Sequence, residues 1–257
     1  LSGLPELILV RYADMPLIRP ETLRKLVETQ KTNRGPMSMV TVMMDDAHGF
    51  GRVLRNPDGS VAAIVEEAVA TPEQLAVREL NVSLFCFRSI WLWSALKRIK
   101  ISPKGEYYLT DIVEIAVQEG ERVEALVAED ADEMVGINNR VHLAEAETIL
   151  RRRINNALME SGVTLVDPAN TYIEPGVVIG QDTVIYPNTY LRGQTTIGCD
   201  CVIGPDTVIL DSRVGDRCRI LASHLEGATL EEDVRIGPFS HLRPKAHLCK
   251  GVKMGNF

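Results

Sequence analysis

No stretch of this sequence approaches the roughly 18 consecutive apolar residues that a membrane-spanning helix requires. No basic flank followed by an apolar segment marks its start as a secretory signal. Positive charge is not in excess either: 28 Lys and Arg against 35 Asp and Glu give a formal net charge of −7. That balance argues against non-specific binding to nucleic acid or to an anionic membrane, while leaving room for a local basic pocket that takes a small phosphorylated ligand. Cysteine is sparse. The five (Cys86, Cys199, Cys201, Cys218, Cys249) contain no C-x-x-C pair and are odd in number, a poor disulfide framework for so long a chain and one that suits a reducing compartment. These absences predict a soluble, unprocessed, cytoplasmic protein acting on small molecules. At 257 residues, 45% hydrophobic and 25% charged, the chain is globular in composition and long enough for one large or two ordinary domains.

Two periodicities divide it. Residues 1–140 alternate between strand and helix patterns. "LILV" (7–10) is a short continuous apolar run of the kind found in parallel strands buried on both faces, and "PETLRKLVETQ" (20–30) follows with helical spacing of Leu23, Leu26 and Val27. "SMVTVMM" (38–44), "SVAAIVE" (60–66) and "NVSLFCF" (81–87) read as further strands, and "SIWLWSALKRI" (89–99) and "LTDIVEIAVQEG" (109–120) as helices. The pattern predicts an α/β domain. Residues 141–162 form a linker: a long helix with apolar positions at Leu143, Ala146, Ile149, Leu150, Ile154 and Leu158, ended by Gly162.

From 163 to 257 the period is six. Aliphatics recur at Ile173, Ile179, Ile185, Leu191, Ile197, Ile203 and Ile209, then through Val214, Ile220, Leu225, Leu230, Ile236, Leu242, Leu248 and Met254 with occasional five-residue steps. Such self-similarity predicts a parallel β-helix with these side chains pointing inward. Several copies ("IGQDTV", "IGCDCV", "IGPDTV", "VGDRCR", "IGPFSH") place Gly just after the aliphatic, where each short strand is expected to turn a corner.

Individual residues carry two readings at this stage. Asp14, just past the first strand, is either a ligand-binding acid at a sheet's carboxyl edge or an ordinary turn carboxylate beside Pro16. A hard cation such as Mg²⁺ needs only one or two protein oxygens besides substrate phosphates, and "GINNR" (136–140) offers an amide. Glu66 and Asn81 close or open strands, so each is either a ligand contact or a solvated or backbone-satisfied end.

"YADMPLIRPETL", "GFGRVLRNPDGSVAAIVEE", "ATPEQLAVRELNVSLFCF", "KGEYYLTDIV" and "VGINNRVHL", followed by the hexapeptide array with "IGPFSHLRP", resemble in order the bifunctional bacterial UDP-N-acetylglucosamine pyrophosphorylase and glucosamine-1-phosphate N-acetyltransferase family. The resemblance covers essentially the whole chain. It implies a nucleotidyltransferase domain of dinucleotide-binding-like fold (1–140), the linker helix, and a left-handed β-helix (163–257) that forms homotrimers. It also implies uridylyl transfer from UTP to N-acetylglucosamine-1-phosphate with Mg²⁺, giving UDP-N-acetylglucosamine, and acetyl transfer from acetyl-CoA to glucosamine-1-phosphate, for peptidoglycan and lipopolysaccharide precursors. By this resemblance Asp14 and Asn138 are Mg²⁺ ligands that also contact substrate. Gly51, Glu66 and Asn81 bind the sugar nucleotide, and Arg243 of "HLRP" binds the sugar phosphate of the acetyltransferase site.

The chain departs from the family's pattern in several places. Ala13 stands where the family has Gly, Val82 and Ser83 where it has Thr-Gly, and Ala47 and His48 where it has Pro-Thr. Arg11 interrupts an apolar strand, and "VEEAVAT" lacks the family's Lys-Asp. The family's Gly-rich, Arg-containing triphosphate loop has no counterpart before Leu1, and its catalytic acetyltransferase His would lie after Phe257. The 257 residues alone are therefore expected to lack turnover, and no catalytic residue is assigned. His48, His241 and His247 are read as solvent-facing loop or turn residues. Two other readings stay open: another sugar-1-phosphate nucleotidyltransferase with a β-helix tail, and a non-catalytic trimeric scaffold.

Overall fold

The computed structural model describes residues 3, 5–45, 49–101 and 105–255; Ala47 and His48 lie outside the described residues. The chain divides into two compact units, Leu1–Ala146 and Glu147–Phe257.

The first unit is a mixed sheet of β1 (Leu7–Val10), β2 (Met37–Met43), β3 (Arg52–Arg55), β4 (Val61–Val65), β5 (Glu79–Arg88) and β6 (Val123–Val127). Its order is β4-β3-β5-β2-β6, with β1 also paired to β5. Helices α1 (Pro20–Thr32), α2 (Pro72–Leu75), α3 (Ser89–Leu96) and α4 (Asp111–Gln118) accompany it, and α5 (Arg140–Glu160) follows. The long β5 is central because its side chains alternate between two apolar layers. Phe85 and Phe87 join Leu92 of α3 and Ile112 of α4 in one, while Leu84 and Cys86 join Leu26 of α1 in the other. Burial in that layer pushes the Cys86 thiol up to about 11, so it packs as a small apolar group.

β1 corrects the expectation of a parallel strand buried on both faces. It runs antiparallel to β5, pairing Leu7 with Arg88 and Val10 with Phe85, and Leu9 is exposed. A run of four aliphatics satisfies either pairing, and only the register with β5 decides between them. β3 and β6 were not read from sequence at all. β3 is short and begins and ends in arginine, which hides the apolar signal. The second of them is structural: Arg55 on β3 donates through Nε to Glu79 Oε2 at 2.7 Å, and Thr41 on β2 donates to Glu79 Oε1 at 2.6 Å. One buried carboxylate thus ties three strands together.

The second unit is a parallel β-solenoid of about five coils. Short strands stack in three sheets, one per side. Val184 pairs with Val202 one coil later, Val202 with Arg219, Arg219 with Arg235, and Arg235 with Lys253. Coils thus span 18 residues where every step is six, and 17 or 16 where the five-residue steps fall. The repeat aliphatics from Ile173 to Leu242 are buried in one continuous core. Leu248 is half-buried and Met254 is 38% exposed, a correction at the last described coil, which no further strand covers among the described residues. Leu143 and Leu150 of α5 are likewise exposed, at 52% and 41%, whereas Ile154 and Leu158 pack on the solenoid core. Asn155, which the apolar pattern passed over, is buried and donates to the carbonyls of Pro168 and Thr171.

Of the five glycines quoted from the repeat, Gly204 takes the left-handed backbone expected of a corner, at φ +88°, and the other four do not. Corners are turned further along by residues at positive φ, chiefly Asp182, Asn188, Asp200, Asp206, Asp211 and Asp233. Asn and Asp tolerate that conformation because their side chains bond locally. Gly180, Gly198 and Gly215 have no positive φ and are required instead by close approach of successive coils. A Cβ on Gly180 would meet the Gly198 carbonyl carbon at 2.5 Å.

Surface ion pairs decorate the coils. Arg217 contacts Glu232 at 2.5 Å and Asp233 at 2.9 Å, and Lys250 contacts Glu232 at 3.1 Å. Glu232 is held below the usual carboxylate range first by the Lys250 hydrogen bond and then by Arg217, and Asp233 first by Arg217. Carboxyls with depressed folded pKa values stabilise above their unfolded values, near pH 4, and that contribution is lost as pH falls through the folded values. In Arg217→Gln the drop in melting midpoint between pH 6 and pH 3 is expected to be smaller than in the parent, because both carboxyls move back toward ordinary values. Equal drops would show that the pairs are energetically silent, as many exposed pairs are.

Candidate functional site

One cleft of about 700 Å³ in the first unit gathers residues from five separated segments: Asp14, Gly51, Glu66, Asn81 and Asn138 all line it. Two local arrangements build it. On one side Asn81 donates its backbone N–H to the Gly51 carbonyl at 2.8 Å. A Cβ on Gly51 would lie 2.8 Å from Ile64 Cγ2 and 3.5 Å from Glu66 Oε1, so glycine is what allows β3 and β4 to bring the acid alongside. On the other side the Ile137 N–H donates to the Asp14 carbonyl at 2.8 Å, which tethers the turn after β1 to the segment preceding α5. Met15, 5% exposed, anchors that turn in the apolar layer while Asp14 itself is exposed.

The departures at Val82 and Ser83 lie at a bulge within β5. Thr41 of β2 opposes Asn81, yet the preceding residue, Val40, opposes Leu84, so Val82 and Ser83 have no partners across the ladder. Such insertions re-aim side chains beside functional sites. Here Asn81 Oδ1 accepts the Ser83 N–H at 3.0 Å, and Asn81 Nδ2 donates to Ser83 Oγ at 3.3 Å. Ser83 sits at φ +55°, the left-handed region that glycine occupies without a Cβ penalty. Ser83 therefore holds the backbone shape that Gly would take. Ser83→Gly is expected to stabilise the fold by up to about 1 kcal/mol and so raise the denaturation midpoint, since relief of the strain outweighs the added chain entropy. A destabilised variant would show that the Ser83 hydroxyl matters more than the strain.

Sequence reasoning missed several lining residues: Tyr12, Tyr107, Tyr108, Thr110, His142 and Glu145. His142 and Glu145 lie in the first turns of α5, three apart, and helical spacing could have placed them on one face. The α5 N-terminus is organised by Asn139, whose Oδ1 accepts the N–H groups of Val141 and His142 at 2.8 and 3.0 Å, as an N-cap does. His142 Nδ1 in turn accepts the Asn138 N–H at 3.4 Å. Arg243 is not part of this cleft. It is exposed in the second unit, immediately after the strand His241–Leu242, and His241 and His247 lie on short strands rather than in turns.

The chemistry of the lining is one-sided. Asp14, Glu66 and Glu145 contribute carboxylates, and no Lys or Arg lines the cleft among the described residues. An anionic ligand entering here needs a cation with it, and the Asp14 carboxylate and Asn138 amide are the hard oxygen donors that Mg²⁺ accepts. The donor set fits that ion. Neutral hydroxyl-rich groups suit the remaining amides, tyrosines and acids.

No family model matches the chain. Curated relatives do: it is 44% identical over 259 residues to a protein named bifunctional protein GlmU from Pelobacter propionicus, covering 100% of this chain and 56% of that protein. It is 45% identical to the protein of that name from Pelotomaculum thermopropionicum, covering 100% of this chain and 56% of the relative. Against that from Caldicellulosiruptor saccharolyticus it is 42% identical, covering 97% and 54%. The chain thus spans little more than half the length of the curated relatives it matches. Among solved structures, CMP:2-keto-3-deoxy-manno-octonic acid synthetase complexed with CTP aligns with a TM-score of 0.44 and 12% identity, over 58% of this chain and 63% of that one. With a match running through both the cleft and the solenoid, the chain is similar along essentially its whole length to the bifunctional GlmU proteins.

Proposed function

We propose that the cleft binds a UDP-sugar together with Mg²⁺, and that this chain carries part of an enzyme making UDP-N-acetylglucosamine in the cytoplasm. In this reading the first unit transfers uridylyl from UTP to N-acetylglucosamine-1-phosphate. The solenoid serves acetyl transfer from acetyl-CoA to glucosamine-1-phosphate and assembles as a homotrimer, with Arg243 on the sugar phosphate. The observation that carries the reading is the convergence of Asp14, Gly51, Glu66, Asn81 and Asn138 on one cleft. When bound, Mg²⁺ would supply charge neutralisation for the phosphates. The chain's own residues orient the ligand: Asp14 and Asn138 present oxygens to the cation, Glu66 accepts from sugar hydroxyls, and Asn81 is preset by its bonds to Ser83. Phosphoryl-group transfer asks little more of a protein than such positioning. The glycine-like φ of Ser83 favours this reading over a degenerate scaffold, because the bulge beside the cleft keeps the shape expected of the family's Gly.

Calorimetric titration of UDP-N-acetylglucosamine into the chain tests it. Binding should require Mg²⁺, and Glu66→Gln and Asn81→Ala should each weaken it about tenfold, the scale of one lost hydrogen bond to a charged or preset group. A chain that melts cooperatively yet shows no Mg²⁺-dependent binding would sink the proposal. Pyrophosphate release from UTP and N-acetylglucosamine-1-phosphate should be measured for the chain alone and for the chain preceded by the corresponding segment of a longer relative. Turnover only in the second would assign the triphosphate-holding loop to that segment.

A further inference from the structure

The outward face of the solenoid holds a second group of side chains that the nucleotidyltransferase cleft does not use. Parallel register sets His224 opposite His241 on the next coil, with ring centroids 5.0 Å apart and planes inclined by 50°. Glu226 is two positions along the His224 strand and therefore on the same face. One ligand atom from each of His224, Glu226 and His241 lies within 4.8 Å of the others. Both imidazoles are exposed, and among the described residues none of the three side chains has a hydrogen-bond or ion-pair partner. Beneath them the buried pair Leu225 and Leu242 fixes the coil backbones in register.

We propose that His224, Glu226 and His241 form a binding site for a divalent transition metal of the zinc class. Two imidazole nitrogens and one carboxylate oxygen are a donor set that Zn²⁺ accepts with a fourth position open. They suit Mg²⁺ and Ca²⁺ poorly, since those ions take oxygen ligands. Metal–nitrogen distances of about 2.0–2.1 Å place the donors of a tetrahedral site roughly 3.4 Å apart. The 4.8 Å envelope therefore closes by rotation of exposed side chains on a backbone that need not move. A second group, Glu231, His247 and Cys249, meets the same distance limit, but its carboxylate is already committed. Glu231 Oε1 lies 2.9 Å from His247 Nε2, and Oε2 accepts the Lys250 N–H at 2.8 Å. Sequence alone hid the first group because its two histidines are 17 positions apart and meet only when the coils stack.

The test uses the chain free of any polyhistidine tag. Titration with Co²⁺, followed by visible absorption, should show saturable binding at one site per chain with the intense bands of low-coordinate cobalt, displaced by Zn²⁺ and not by excess Mg²⁺. His224→Asn and His241→Asn should each weaken Zn²⁺ binding by about tenfold or more, since each removes one of three ligands. His247→Asn should leave it unchanged. Zn²⁺ should also raise the melting midpoint of the parent, but not that of the His224→Asn/His241→Asn double variant. Because the substituted side chains are exposed, that variant is expected to melt like the parent without metal. Zn²⁺ binding that survives in the double variant, binding lost in His247→Asn, or no saturable binding by the parent would each overturn the assignment.

Discussion

Gly198→Ala is expected to cost the solenoid at least about 3 kcal/mol, enough to disorder its middle coils. A Cβ there would sit 2.2 Å from Asp216 Oδ1, 2.8 Å from the Asp216 backbone nitrogen and 2.9 Å from the Gly215 carbonyl carbon. The carboxylate can swing away, but the backbone of the next coil cannot, because its ladder bonds are made on both sides: the Gly198 N–H donates to Val214, and the Gly215 N–H to Leu230. Overpacking against fixed backbone costs more than the usual penalty of a core methylene. Gly180→Ala should behave alike, with backbone atoms at 2.5 and 2.7 Å. Gly237→Ala occupies the same repeat position but meets nothing nearer than 3.3 Å, so it should stay within about 1 kcal/mol of the parent. Urea denaturation separates the units. Both tryptophans, Trp91 and Trp93, belong to the first, so their fluorescence transition should hold still while the far-ultraviolet circular dichroism transition moves. A Gly198→Ala chain that unfolds with the parent would show that the coils can spread to admit a methyl.

In a form of the protein that carries out uridylyl transfer, Asp14→Ala is expected to lower kcat with Mg²⁺ by on the order of 10³, about 4 kcal/mol of transition-state stabilisation. The magnitude follows from the lining of the cleft. With no cationic side chain there among the described residues, none of the described lining side chains can take over the neutralising of phosphate charge once the cation has lost its carboxylate ligand. Asn138→Ala removes a neutral donor and should cost less, about tenfold to a hundredfold, and should be partly restored by higher Mg²⁺. Steady-state pyrophosphate release across a Mg²⁺ series distinguishes the two. If Asp14→Ala lost no more than Asn138→Ala, Asp14 would be read as the turn carboxylate that its neighbour Pro16 also permits.

The resemblance that named these residues was written into local motifs, yet it could not say how the site holds together. Asn81 and Gly51 were singled out one by one. The hydrogen bond between them, the unpaired Val82 and Ser83, and the tether from Ile137 to Asp14 all depend on pairings between distant segments. His142 and Glu145 went unnoticed for the same reason: nothing in "RVHLAE" announces that the start of α5 faces a cleft. β6 passed unread because Val123–Val127 is flanked by charge, and its strand character comes from parallel pairing to β2.

By itself the sequence determined the solenoid. A six-residue recurrence of aliphatics sends one side chain per face inward wherever it is wound, so the inward residues, the coil length and the shortened coils follow from spacing alone. It also determined the alternation of strand and helix in the first unit, since helix spacing and short apolar runs are local signals. Only the tertiary structure decided the rest. Direction of β1, the bulge that sets Ser83 at positive φ, the coil-to-coil contact that demands Gly198 and the meeting of His224 with His241 each involve two stretches far apart in the chain. Their free energies reside in pair contacts, and a pair contact leaves no mark in either stretch read alone.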